Sequence, residues 1–345
     1  MKTPRDISFA KKVLFSLIPL LLIVMCLEIL LRFVPIHEDS DRTLSGFVVP
    51  DPELIWKLQP RDQGPLATNE LGLRDLPLNP NADRTILLLG DSVAWGDSIR
   101  DVRRIFPSLT EQFLNEKHEQ TFEIVNSGVP GYSTFQQLRY LQLYGLKLEP
   151  DMIILQFCLN DVVERYSSVA EYGGDNVFLG VDTSQAVKGL HGWLLRNSRI
   201  YEAVARFLVK LSRDQQKYLV QDMAKDELSP EILEAWNLTL SEIDEIREVA
   251  VANDIPLLIL ITPYRFQLKN PKGLNQPQRM LQDYGREHNI PIIDLLPMFE
   301  AFQQTEKDVT LFIDENHFSL QGHLLTAFTL ARHLLEGAFR LDEKN

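Results

Sequence analysis

Five short, continuous apolar runs limit this chain's fold more than any other feature. They are "TILLLGD" (residues 85–91), "FEIVNSG" (122–128), "DMIILQF" (151–157), "PLLILITP" (256–263) and "PIIDL" (291–295). Their β-branched content and flanking turn residues read as strands buried on both faces. Amphipathic segments of helical length separate them, at 106–118, 134–148, 230–253 and 275–289, and a last helix starts near Ser319 as N-cap and runs to about Gly337. Strands alternating with helices imply parallel βαβ units with right-handed crossovers. The expected architecture is α/β, an open parallel sheet of about five strands with helices on both faces. Ligands of such sheets sit beyond the carboxyl ends of the strands, so the residues just after each strand are the ones to inspect.

The front of the chain differs in composition. Val13 to Leu31 reads "VLFSLIPLLLIVMCLEILL", nineteen residues interrupted only by Ser16, Pro19 and, near the far end, Glu28. That length suits a helix crossing a hydrocarbon core of about 30 Å, and such helices accept proline more readily than soluble ones. Lys2, Arg5, Lys11 and Lys12 precede the run, so the positive-inside rule puts residues 1–12 in the cytoplasm. "LRFVPIHED" offers no Ala-x-Ala cleavage site. The expectation is an uncleaved, single-pass signal anchor over 13–34 in the cytoplasmic membrane, with the remainder on the extracytoplasmic side.

Charge follows the same division. The chain carries a net −13, and its first 36 residues carry +3, which leaves −16 on the rest. A domain that acidic repels nucleic acid and anionic lipid surfaces, so nucleic-acid binding is excluded as a function class. Cys26 falls in the anchor and Cys158 at the end of an apolar strand, so no disulfide is expected. Residues 35–84, rich in Pro, Asp and Asn, read as a stalk that packs in part on the following domain. The interval 164–228 is too long for a simple connection and reads as a partly helical insertion over the strand ends.

Gly-Asp-Ser occurs twice, at 90–92 and 96–98. Ser92 sits at a strand-to-helix turn, a place that can expose its hydroxyl at the sheet's carboxyl edge. Ser98 lies in a loop with no strand to hold it. A nucleophilic serine needs a base, usually a histidine oriented by a carboxylate. Of the seven histidines, His317 stands out in "LFIDENHFSLQGH", because Asp314 precedes it by three residues. The carboxylate can fold back onto Nδ1 and leave Nε2 for the serine proton. His323 is the rival, without a carboxylate at comparable spacing. Acyl transfer also needs oxyanion donors. "NSGVPGYST" after the second strand offers the Gly131 N–H, and "CLND" after the third offers the Asn160 side chain, with Gly128 as the turn that ends its strand.

These four blocks, "GDSVAWG", "NSGVPGYST", "LND" and "DENHFS", resemble in order and spacing those of the SGNH (GDSL) hydrolase family. The resemblance spans roughly 69–337 and places a hydrolase domain at 85–340. The lead-in "TNELGLRD" (68–75) looks like that of membrane-anchored bacterial members. It implies a flavodoxin-like three-layer α/β/α fold with Ser92 as nucleophile, His317 as base and Asp314 as its orienter. The Ser92 N–H, the Gly131 N–H and the Asn160 side chain then form the oxyanion hole. Leu159 departs from the pattern, since many members carry glycine before the Asn-Asp pair. Absence of a Gly-x-Ser-x-Gly elbow argues against an α/β-hydrolase, and no Walker A, zinc or dinucleotide fingerprint occurs.

The reading that follows is a serine esterase or acyl hydrolase, without cofactor or metal, acting on an ester-bearing small molecule, glycan or lipid. An O-acyltransferase passing the acyl group to an envelope or extracellular polysaccharide uses the same triad. A non-catalytic envelope scaffold or glycan-binding protein is argued against by the intact set Ser92, Asp314 and His317.

Overall fold

The computed structural model describes residues 9–33, 48–51, 53–61, 67–162, 190, 193–194, 197–201, 203–204, 220–269 and 274–336. Each of the five apolar runs forms a strand of one parallel sheet. After an antiparallel pair, β1 (Val48–Asp51) and β2 (Ile55–Leu58), come β3 (Arg84–Leu89), β4 (Phe122–Asn126), β5 (Met152–Phe157), β6 (Leu257–Ile261) and β7 (Ile292–Asp294). The sheet order is β4-β3-β5-β6-β7, all parallel. The chain goes out to one edge with β4 and returns past β3 to begin β5, which is the flavodoxin-like order. The order therefore reverses between β3 and β5, the point beyond whose carboxyl ends such sheets bind ligands. Residues 90–92 and 158–160 lie there.

Helices cover the sheet because strands this apolar must be buried on both sides. They are α2 (Ser92–Trp95), α3 (Phe106–Lys117), α4 (Thr134–Leu143), α5 (Pro230–Ala252), α6 (Arg265–Lys269), α7 (Gln276–His288), α8 (Leu296–Thr305) and α9 (Leu320–Leu335). The last helix packs against α3, and α4 packs against α5, so distant parts of the sequence close each layer. β3, β5 and β6 are buried almost throughout and form the centre of the core.

The observed helices match the amphipathic segments to within a few residues. The exceptions are the short α2, α6 and α8, which lie outside those segments; of these α8 falls where sequence reading gave only a loop. It is short and starts with Pro297 in its first turn. Its inward residue Phe299 is fully buried, in contact with Phe312 and Phe318 at ring-centroid distances of 5.5 and 5.0 Å.

The lead-in is bound more closely than a stalk. Leu54, Trp56 and Leu58 are in the hydrophobic core. Asp51 Oδ1 accepts the N–H groups of Glu53 and Leu54, each at 3.0 Å, and so shapes the turn between β1 and β2. Most of the insertion expected at 164–228 lies outside the described residues, as does the segment 34–47.

The apolar front of the chain is helical, α1 (Phe9–Leu31), with Pro19 inside it. Its described side chains are mostly exposed, Leu21 at 65% and Leu30 at 63% among them. Among the described residues, no helix is long and apolar enough to cross a membrane. The fold thus bears out the parallel α/β sheet and leaves the anchor without structural support.

Glu111, on α3, accepts the Ile124 N–H at 2.8 Å, and burial pushes its carboxyl up to about 7. A carboxyl raised by folding is neutral in both states at low pH and must ionise at a cost as pH rises. Glu111→Gln should therefore stabilise the domain little at pH 4.5 and on the order of 1 kcal/mol at pH 8. Urea unfolding midpoints at the two pH values test this; a constant or reversed difference refutes it.

Candidate active site

Gly90-Asp91-Ser92 carries the chain out of β3 into α2, whose first residue is Ser92. Asp91 is fully buried and caps this one-turn helix, its Oδ1 accepting the Val93 N–H at 2.8 Å. Its own N–H donates to Gln156 Oε1 on β5 at 3.1 Å. Its Oδ2 accepts Asn160 Nδ2 at 2.8 Å. Burial raises the Asp91 carboxyl, against the hydrogen bonds from Asn160 and Val93. The turn at Ser92 and the end of the third sheet strand are thus one hydrogen-bonded unit.

The histidine arrives from the other end of the chain. Phe312 and Phe318 pair across an antiparallel bridge, and Ile313 N–H donates to His317 O at 2.8 Å. The Phe299, Phe312 and Phe318 rings pack beneath this hairpin-like loop, which is what α8 contributes to the site. Ser319 caps α9, its Oγ accepting the Gly322 N–H at 3.2 Å. Asp314 serves two purposes. Its Oδ1 accepts the N–H groups of Asn316 and His317 at 3.2 and 2.9 Å, and its Oδ2 meets His317 Nδ1 at 2.7 Å.

His317 Nε2 is 2.8 Å from Ser92 Oγ, across a sequence separation of 225 residues. With Nδ1 protonated toward the carboxylate, Nε2 accepts the serine hydroxyl. Burial alone would raise the Asp314 carboxyl, but the hydrogen bond and charge of His317 hold it well below the usual carboxylate range. Burial likewise opposes charge on His317, yet the hydrogen bond and charge of Asp314 raise the imidazole above its usual value, with Asp97 and Asp91 adding to the effect.

Gly131 sits in the turn after β4 with φ +79°. Its neighbour Tyr132 is fully buried, donates its hydroxyl to Trp56 O at 2.8 Å and packs edge-on against the Trp56 ring. The lead-in therefore fixes the loop that holds Gly131. Among the described residues, neither the Ser92 N–H nor the Gly131 N–H has an intramolecular acceptor. Gly128 has no positive φ and lies outside any turn, contrary to the turn expected there, and is a close-approach residue. A Cβ on it would lie 2.7 Å from both Ala94 Cβ and Trp95 N. Ser98 Oγ contacts Asp97 Oδ2 at 3.4 Å and is not part of the Ser92–His317 chain.

His323, the rival base, is completely buried, with its Nδ1 accepting the Phe106 N–H at 3.1 Å. Burial pushes it down to about 3, so it stays neutral and structural. Among the described residues, no group of three or more His, Cys, Asp or Glu side chains is placed to hold a metal ion.

Sequence reading passed over Asp91, Arg74 and Asp97 as site residues. Arg74, in the lead-in block 68–75, is buried against the Trp95 ring and donates to the carbonyls of Trp95, Gly96 and Ile99. A buried guanidinium with three carbonyl partners is a fixed strut for the loop after α2. Its only sequence signal was its place in that block.

The profile of the GDSL-like Lipase/Acylhydrolase family matches residues 88–325. The chain belongs to the GDSL-like acylhydrolase family. It is a serine hydrolase acting on esters. Similar solved structures include a lipase/acylhydrolase from Enterococcus faecalis, with 16% identity over 73% of this chain and 95% of that one, TM-score 0.43. An acetyl-xylooligosaccharide esterase from Geobacillus Stearmophilus shares 15% identity over 76% of this chain and 98% of its own, TM-score 0.46. An acetyl xylan esterase shares 13% over 72% and 99%, TM-score 0.45. The comparison with curated proteins found no match.

Two outcomes are expected of this GDSL-like hydrolase. Protonation of His317 removes its Nε2 as an acceptor, and the surrounding carboxylates favour that protonated form. The acid limb of kcat/KM for ester hydrolysis should therefore lie above about pH 6.5; a limb at or below that value would contradict the geometry. Gly128→Ala should push α2 outward, costing about 1–3 kcal/mol of stability. It should also lower kcat more than it raises KM, as read by steady-state kinetics beside thermal unfolding.

Proposed function

We propose that this acylhydrolase works through an acyl-enzyme on Ser92, with His317 as general base and then general acid and Asp314 as its orienter. The observation that carries the reading is the continuous hydrogen-bond chain from Ser92 Oγ through the imidazole to Asp314. The Ser92 hydroxyl attacks the ester carbonyl as its proton passes to Nε2. The imidazolium formed faces the Asp314 carboxylate. The oxyanion is held by the Ser92 N–H, the Gly131 N–H and the Asn160 amide. His317 then returns the proton to the leaving alkoxide, and water repeats the sequence to release the acid.

The substrate proposed is a short-chain ester on a neutral glycan. A net charge of −16 beyond residue 36 disfavours anionic partners. We place the domain on the extracytoplasmic side, held at the membrane by α1. Support comes from the sequence alone: the apolar run from Val13 to Leu31 and the lysines and arginine before it.

The test uses p-nitrophenyl esters of graded chain length with the detergent-extracted full chain, with and without an acetylated or free oligosaccharide. Ser92→Ala should lose on the order of 10⁴-fold or more in kcat, while Ser98→Ala keeps near-normal activity. Activity that survives Ser92→Ala overturns the nucleophile, and acylated sugar as main product reassigns the chain as a transferase. Recovery of the full chain in the soluble fraction of cells overturns the membrane placement.

A further inference from the structure

His317 Nδ1 faces two carboxylates. Asp314 Oδ2 is at 2.7 Å, and Asp97 Oδ2, from the second Gly-Asp-Ser, is at 3.7 Å. The second carboxylate comes from a different element, the loop after α2, and its position is built by that loop. Gly96 ends α2 in the left-handed region, φ +73°. That turn sends Asp97 back over the nucleophile helix, with its N–H donating to Ser92 O at 3.1 Å. A Cβ at Gly96 would fall 2.2 Å from Ile105 Cγ2, so the turn admits no side chain. Arg74 then grips the carbonyls of Trp95, Gly96 and Ile99 on either side of Asp97. The side chain of Asp97 is 31% exposed, less than the 43% of Asp314.

We propose that Asp97 is a second positioning residue for His317: it stabilises the imidazolium beside Asp314, and it accepts the Nδ1–H when Asp314 is lost. This rests on Ser92 and His317 acting as nucleophile and base. The proton balance is that of the ordinary mechanism. The serine proton moves to Nε2, Nδ1 keeps its own proton, and the single positive charge formed on the ring is shared between two carboxylates instead of one. At 3.7 Å Asp97 makes no hydrogen bond in the resting state. Its attraction to the imidazolium is nevertheless that of an ion pair held partly away from solvent. The charged or titratable groups facing His317 are Asp314 on its own loop, Asp97 after α2, Asp91 after β3 and the neutral His323 on α9. Asp91 is committed to Val93 and Asn160, which leaves Asp97 as the carboxylate able to replace Asp314.

The test compares the full chain with Asp97→Asn, Asp314→Asn, the double variant and Ser92→Ala, using p-nitrophenyl acetate across pH. Asp97→Asn should keep its thermal midpoint, lose about three- to tenfold in kcat on the pH plateau, and move the acid limb of kcat/KM down by roughly half a pH unit or more. The sign follows from removing a negative charge that favours the protonated ring. Asp97→Glu should return the limb toward its original pH, which a packing role alone would not require. Asp314→Asn should retain a rate at least about tenfold above the double variant, whose activity falls toward that of Ser92→Ala. An unmoved acid limb in Asp97→Asn, or a double variant no slower than Asp314→Asn, overturns the proposal. If Asp97→Asn does not fold, Asp97→Ser carries the same two expectations. A Ser92→Ala protein as active as wild type instead overturns the site assignment itself, and the proposal with it.

Discussion

The site depends on one buried carboxylate, that of Asp91. It is fully buried at the carboxyl end of β3, where an unpartnered charge would be costly. Its two oxygens take N–H groups from the helix that begins at Ser92 and from Asn160 beyond β5. A third hydrogen bond, from its own N–H to Gln156, ties the same turn to β5. The strand ends on the two sides of the reversal in strand order are thereby tied together. Ser92 and Asn160 keep one relative position because a single aspartate holds both.

The histidine side of the site is held by apolar packing and a local cap instead. Phe299, Phe312 and Phe318 support a loop whose shape is set by Asp314 accepting two of its backbone N–H groups. The same carboxylate also meets the imidazole, so the loop cannot lose its cap without loosening His317. The lead-in closes the arrangement from a third direction. Trp56 fixes Tyr132 and the turn of Gly131, and Arg74 fixes the loop of Asp97. The segment that reads as a stalk packing in part on the domain reaches, in its described residues, the loops of Gly131 and Asp97.

The strands were legible because each is a continuous apolar run between turn residues, a pattern that demands burial on both faces. The helices between them were legible from amphipathic spacing, and the three residues the structure joins, Ser92, His317 and Asp314, stood out by their places just after a strand or before the last helix. Other parts were not legible for a common reason. Helix α8 is short and proline-led, with too few turns to show a period. The burial of Trp56 and Arg74 depends on what stands opposite them, which their own stretch of sequence does not show. Gly128 carries no mark that distinguishes a turn from a close approach; only the position of Ala94 and Trp95 does.

The doubled Gly-Asp-Ser shows where the boundary lies. By itself the sequence determined that the first copy ends a buried strand, that an Asp-x-x-His pair precedes the last helix, and that an α/β sheet must bring strand ends to one edge. These are consequences of local pattern. Tertiary structure decided the rest, because it alone sets distances across 225 residues. It made His323 a buried neutral ring instead of a base, and Arg74 a strut. It placed the second copy's Asp97, with no strand of its own, 3.7 Å from the imidazole because a left-handed glycine and a buried guanidinium fold its loop back over Ser92.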